Sequence, residues 1–310
     1  MLIADALAQA ASTDEAFVAD GVLAEVVLPL CIFLIMVTMG MSLTGDDFRR
    51  IAANRRAVVV GVVGQLVLLP AIGFLVAWVF PLDPVEAVSI VLLAAAPGGT
   101  TSNLIVHAAD ADRALSVTLT SLSNMVVWIT MPILLTVSFD VFDFDADSID
   151  FPIGELVVSI AALTIVPVLL GMGIRRIAPA LCRRVDGPSK IFAAAFLFVI
   201  VAALVVTNWD AVTDNVGSYA PAFIVLNLAA LAVGFVLAQR AGLDREQSTT
   251  VSIEMGLQNS TLAITIATSV LGNSELAIIP GLYGVWMLFT GFAFAFALKS
   301  RDTELAPASP

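Results

Sequence analysis

Apolar residues gather into runs of about 20, the length a helix needs to cross a hydrocarbon core of about 30 Å. The runs fall at 22–44, 56–79, 86–109, 114–138, 154–173, 190–208, 219–239, 247–271 and 277–298. Short polar connections separate them. The pattern predicts an all-α polytopic membrane protein with nine transmembrane helices, numbered here as spans one to nine. Residues 1–21 precede the spans and a tail, 299–310, follows them. The first 21 residues hold no Lys or Arg and only a short apolar stretch, so they do not read as a secretory leader or an organelle transit peptide. The end of the tail, from Thr303, reads as disordered.

Basic residues set a direction on this pattern. Arg49, Arg50, Arg55 and Arg56 lie between spans one and two, and Arg113 lies between three and four. Arg175, Arg176, Arg183, Arg184 and Lys190 separate five from six. Arg240 and Arg245 separate seven from eight, and Lys299 and Arg301 follow nine. These are all 14 basic residues, and a nine-span path puts every one on the same side. The opposite connections carry acids, as in Asp140, Asp143, Asp145, Asp147 and Asp150. Basic loops stay in the cytoplasm. The N-terminus is therefore expected outside, the C-terminus inside, and the protein in the plasma or inner membrane.

Composition supports this picture. Of 310 residues, 59% are hydrophobic and 13% charged, with a mean hydropathy of +1.00. A soluble domain is about a quarter charged, so a water-facing exterior cannot be built from this inventory. The net charge of -12 offers no basic stripe for nucleic acid. Acid-rich, Lys-poor surfaces suit a saline habitat. Cys31 and Cys182 supply neither a disulfide framework nor zinc-ligand spacing. One His, His107, and no HExxH or GxSxG argue against an enzyme.

Two spans are not simply apolar. Span three holds Pro97-Gly98-Gly99-Thr100-Thr101-Ser102-Asn103, and span eight holds Glu254-Met255-Gly256-Leu257-Gln258-Asn259-Ser260. Pro lacks a backbone donor and Gly lacks a side chain, so regular helix is discouraged there. A break at mid-membrane is tolerated only where freed backbone groups face a cavity or a ligand. Spans one to four and six to nine read as two halves, each broken in its third member, and the two broken spans run in opposite directions. That is the arrangement of an inverted repeat, whose interface holds a transporter's site.

Glu254 is the acid placed nearest mid-membrane, since Glu25, Glu86 and Glu155 fall near span ends. No Lys or Arg lies at its depth, so its partner must be a bound cation, a proton or a set of hydrogen-bond donors. A hard cation prefers oxygen ligands, and both broken segments are rich in them. Ser116 and Thr120 share one face of span four, and Gln65 interrupts span two. Ser and Thr in membrane helices also serve helix packing.

At these residues the sequence resembles the bile acid:sodium symporter family over roughly 22–298. The resemblance is carried by Pro97-Gly98-Gly99-Thr100 leading to Ser102-Asn103, by Ala114-Leu115-Ser116-Val117, and by Glu254 leading to Gln258-Asn259-Ser260. It implies a core domain (about 56–138 and 219–298) in which two broken helices cross, and a panel domain (about 22–44 and 154–208). It implies two sodium ions. The first would use Ser102, Asn103, Ser116, Thr120 and Glu254; the second would use Gln65, Glu254 and Gln258 with backbone oxygens of Met255 and Leu257. Thr100 and Asn259 would contact substrate. Ten-span relatives carry one more helix at the start, which the short acidic segment 1–21 does not supply; nine-span relatives also exist.

One carboxylate and two sodium ions sum to about +1 in a low-dielectric pocket, which an anionic substrate would relieve. The expected activity is sodium-coupled symport of an organic anion, bile-acid-like or a small carboxylate, by alternating access. A proton-coupled carrier or facilitator of the same fold, with Glu254 as the proton site, is the alternative. The lipid bilayer and the organic anion are the partners implied; no obligate protein partner is. Gly171 and Gly173 in span five fit either an easing of the movement or close helix packing.

Overall fold

A computed structural model describes residues 26–43, 54–145 and 153–305. The segment 1–21, the side chains of Glu25, Arg49, Arg50, Asp147 and Asp150, and residues 306–310 lie outside the described residues. All regular elements within them are helical. In chain order they are α1 (Leu28–Ser42), α2 (Arg55–Val79), α3 (Pro84–Ala95), α4 (Thr100–Ala108), α5 (Arg113–Val141), α6 (Gly154–Ile177), α7 (Pro179–Thr207), α8 (Trp209–Arg240), α9 (Arg245–Gly256), α10 (Ser260–Thr265, continued by a π turn over Ile266–Val270) and, after a single 3-10 turn (Glu275–Ala277), α11 (Ile278–Leu305).

Among the described residues, six helices are long and apolar enough to cross a membrane: α2, α5, α6, α7, the Val216–Arg240 part of α8, and Glu275–Leu298 around the start of α11. The pair α3 and α4 makes a seventh if its two halves, bent by 63°, count as one span. Nine were predicted. The first is represented by α1, whose described part has 15 residues. The eighth is divided between α9 and α10, and α9 carries Arg245, Glu246 and Glu254.

Local sequence explains where the helices begin. Asp83 forms a capping box with Glu86 at the start of α3, with Pro84 in the first turn. Asp112 accepts from Leu115 N–H at 3.0 Å, and Asp244 from Gln247 N–H at 2.8 Å. Each such cap contributes about 1 kcal/mol. Inside α2 a π turn spans Gly64–Leu68 and contains the buried Gln65.

Two boundaries move from their predicted positions. α7 starts at Pro179, not 190, because its first turns stand beyond the apolar run and a helix there needs no hydrophobic sequence. The last helix does not end with the apolar run at 298: α11 continues to Leu305, past Thr303 where disorder was expected, with no Gly or Pro after Leu298 until Pro307.

α1 lies hard against α6. A Cβ on Gly40 would sit 2.1 Å from the Val168 carbonyl oxygen, and one on Gly171 would sit 2.1 Å from that of Val37. The two backbones are in contact, and Gly171 therefore serves packing. Gly173 has nothing within 4 Å of its added Cβ.

Basic helix ends meet one another. Arg175 Nη1 donates to Met41 O at 3.1 Å, Arg245 Nη2 donates to Leu298 O at 2.9 Å, and the Arg56 guanidinium lies beside Gly242. Acidic ends meet elsewhere: Asp83, Glu86 and Glu275 line one cavity with Tyr219, and Ser218 Oγ donates to Glu86 at 3.0 Å.

Candidate functional site

The two interruptions lie against each other. Between α3 and α4 the chain runs through Pro97-Gly98-Gly99, and between α9 and α10 through Leu257-Gln258-Asn259. Asn259 N–H donates to Pro97 O at 2.8 Å. The Asn259 side chain caps α10 by accepting from Leu262 N–H at 3.1 Å.

Glu254 stands beside this junction, 1% exposed. Ser116 Oγ donates to its Oε1 at 2.5 Å and Thr120 Oγ1 to its Oε2 at 2.7 Å. Among the described residues no Lys, Arg or His pairs with it. Ser116 Oγ is also 2.7 Å from Asn103 Oδ1, so two acceptors converge on a hydroxyl that has one proton. Ser102 Oγ donates to Gly99 O at 2.8 Å, and Asn103 Nδ2 to the same carbonyl at 3.4 Å. A side chain at Gly98 would begin 2.6 Å from Glu254 Oε2 and 3.3 Å from Ser102 Oγ. Glycine is thus what lets the α3–α4 break approach the carboxylate.

The residues of the second expected ion set gather on the far side of Glu254. Gln65 and Gln258, 4% and 1% exposed, touch through their amides at 2.9 Å. Gln258 Nε2 lies 2.6 Å from Met255 O and 3.3 Å from Glu254 O. The other end of the Gln65 amide is 2.9 Å from Glu254 O, and the end facing Gln258 is 3.1 Å from Gly98 N. No orientation of the two amides satisfies all of these contacts. With Gln65 donating to Gln258, its oxygen faces Glu254 O at 2.9 Å. Turning Gln65 alone sets two amide oxygens 2.9 Å apart. Turning both sets Gln258 Oε1 2.6 Å from Met255 O. Each leaves two oxygens at hydrogen-bond distance with no proton between them. An oxygen-seeking cation removes that conflict, so the residues present fit such an ion. Glu254 serves the two clusters differently: its carboxylate faces Ser116 and Thr120, and its carbonyl faces the glutamines. Leu257 stands at the C-cap of α9 in extended conformation.

Among the described residues no three His, Cys, Asp or Glu gather around one point. The chemistry of the site is one carboxylate among neutral oxygens, which suits a hard ion of low charge.

Beside the junction is a cavity of about 20 Å³, lined by Thr100, Thr101, Asn259 and Ser260 on one side and by Met36 and Leu197 on the other. That is room for about one water molecule. Thr100 and Asn259, the expected substrate contacts, thus share one lining. Ser260 Oγ is buried there and has no hydrogen-bond partner among the described residues.

Three further residues were not anticipated. Asn124 Nδ2 donates to Gly98 O at 3.2 Å, and Asn227 Nδ2 donates to Gly256 O at 2.8 Å. Tyr283 Oη donates to the same Gly256 carbonyl at 2.6 Å. All three side chains are fully buried. They take carbonyls that the broken helices leave without their usual partners. The signal for Asn227 was legible: it is a lone amide in the apolar run Ile224-Val-Leu-Asn-Leu-Ala-Ala. His107 is exposed and apart from these groups.

Comparison with known proteins gives the family. The model of the sodium bile acid symporter family matches residues 29–215. The uncharacterized sodium-dependent transporter YocS of Bacillus subtilis is 26% identical over 263 residues, covering 84% of this chain and 79% of that protein. The human ileal sodium/bile acid cotransporter is 28% identical over 287 residues, covering 89% and 80%. The rice chloroplastic protein BASS1, a probable sodium/metabolite cotransporter, is 29% identical over 243 residues, covering 78% of this chain but 58% of its own length. A family model that spans more than half the chain, over α1 to α7 and the first of the two breaks, fixes the assignment: the protein belongs to the sodium bile acid symporter family.

Proposed function

We propose that the chain is a sodium-coupled symporter of an organic anion. The observation that carries this reading is Glu254: a buried carboxylate with no basic partner among the described residues, set among hydroxyl, amide and carbonyl oxygens at a junction of two broken helices. In water-poor surroundings such a charge needs a counter-ion. One sodium ion would be held by Ser102, Asn103, Ser116, Thr120 and Glu254, and a second by Gln65, Glu254, Met255, Leu257 and Gln258. The unresolvable oxygen contacts around Gln65 and Gln258 favour sodium over a proton, because a proton on the Glu254 carboxylate would leave them in place.

Two sodium ions against one carboxylate leave the junction positive, which favours an anion beside Thr100 and Asn259. The names of the relatives speak of bile acids and metabolites, and both classes include carboxylates. The cavity at the junction is far too small for either. Substrate entry therefore requires α2–α5 and α8–α11, the core, to part from α1, α6 and α7, the panel. Sodium would bias that movement by binding one arrangement more tightly than the other. Nine spans, with the basic helix ends in the cytoplasm and the N-terminus outside, complete the reading.

The test is uptake into proteoliposomes of radiolabelled pyruvate and, separately, of a labelled bile salt. Uptake of either should follow an inward sodium gradient and vanish when potassium replaces sodium. Uptake driven equally well by a pH gradient without sodium would transfer the assignment to proton coupling.

A further inference from the structure

A cavity of about 480 Å³ lies away from the junction, at the basic end of α1, α6 and α7. Its lining includes Thr38, Ser42, Arg175, Cys182, Arg183 and Asp186. The way the chain turns explains how it forms. Only Ala178 separates α6 from α7, so Arg175 in the last turn of one helix and Arg183 in the second turn of the next open onto the same hollow. Cys182 packs with Val37 and Met41 of α1, with Val185 partly buried beside them. That contact seats the polar beginning of α7 against the end of α1 and leaves the space between them open.

The charges are arranged for an anion. Arg175 spends one donor on Met41 O, which fixes the guanidinium at the wall and leaves its other N–H groups unassigned. Arg183 makes no hydrogen bond or ion pair among the described residues. Asp186, the acid on the lining, is taken by Lys190 at 2.8 Å. Thr38 and Ser42 give their protons to Ile35 O and Met39 O, so the hollow's free donors are guanidinium N–H groups. Two arginines favour a group with several charged acceptor oxygens over a single carboxylate, because the planar fork binds oxygen pairs. Leu181 and Ile177 nearby are 47% and 87% exposed, an apolar surface suited to acyl chains.

We propose that this hollow binds a phosphate group, supplied either by the headgroup of an anionic phospholipid or by a soluble phosphate. The inference concerns residues outside the ion and substrate positions and stands whether or not those positions are assigned correctly.

The test measures melting of the full chain in nanodiscs of phosphatidylglycerol and of phosphatidylcholine, at constant sodium and constant ionic strength. A third sample adds inorganic phosphate to phosphatidylcholine discs. Arg183→Gln is the main variant; Arg175→Gln accompanies it, although loss of the bond to Met41 could impair its folding. Arg184→Gln, an exposed neighbour that does not line the hollow, controls for general surface charge. A melting temperature raised by phosphatidylglycerol, unchanged in Arg184→Gln and lost in Arg183→Gln, supports the site with lipid as its ligand. The same pattern with inorganic phosphate supports it with a soluble ligand. No shift with either probe, or a shift that Arg183→Gln retains or Arg184→Gln loses equally, overturns it.

Discussion

Asn259 N–H donates to Pro97 O at 2.8 Å, so the two interrupted helices are joined backbone to backbone. Pro97 has no N–H of its own to give, and its carbonyl is freed by the break that it helps to make. Asn259 answers that carbonyl from the other break. Around the bond each broken segment is held by its neighbours in the same manner. Gly98 is met through its carbonyl by Asn124 of α5, and the Gln65 amide of α2 lies 3.1 Å from its nitrogen. Gly256 is met by Asn227 of α8 and Tyr283 of α11. A helix before and a helix after each break thus lie against it.

The Gly256 carbonyl has two buried donors, and this makes their loss non-additive. Tyr283→Phe and Asn227→Leu should each lower the melting temperature modestly, since one donor remains, at a cost of about 1 kcal/mol. The double variant leaves the carbonyl unpaired in a buried setting and should cost more than the two single effects together. Thermal unfolding of the four proteins in one detergent checks this; strictly additive losses would show that the donors do not share one task.

Gly98 and Gly99 are adjacent and should respond differently. A Cβ at Gly98 begins 2.6 Å from Glu254 Oε2, whose position is held by Thr120, whereas one at Gly99 finds its nearest neighbour at an ordinary 3.5 Å. If sodium binds as proposed and stabilises the chain over potassium, Gly98→Ala is expected to remove that stabilisation, while Gly99→Ala keeps most of it. Melting curves in the two chlorides at equal ionic strength make the comparison. Equal behaviour of the two variants would mean that contact with the carboxylate is not what Gly98 provides.

The crossing of α1 and α6 offers a prediction independent of any ion. Gly171→Ala must push the two backbones apart and should destabilise by about 1–3 kcal/mol. Gly173→Ala, two residues along the same helix but in open space, should be neutral or slightly stabilising. Melting temperatures of the two variants decide the point, and a neutral Gly171→Ala would contradict the close approach.

Much of the site was legible because a membrane leaves few alternatives. A Pro-Gly-Gly in one apolar run and a Glu in another stand out where almost any polar residue is costly. The residues so marked, from Gln65 to Asn259, do lie around one junction. What the pattern did not reveal follows from the same physics. The polar start of α7 stands past the apolar run, where hydropathy carries no information about helix. Tyr283 reads as an ordinary aromatic until its hydroxyl is seen against a broken helix. The division of labour within Glu254, carboxylate to one side and carbonyl to the other, depends on backbone direction, which side-chain types do not encode.

The central claim is that sodium occupies the oxygens at this junction. Equilibrium binding of ²²Na⁺ to the purified protein tests it directly, with Glu254→Gln and Gln258→Ala measured alongside. Saturable binding to the unaltered chain, abolished or strongly weakened in both variants and not competed by potassium, is the predicted result. Absence of saturable binding, or binding that survives in Glu254→Gln, would contradict the account.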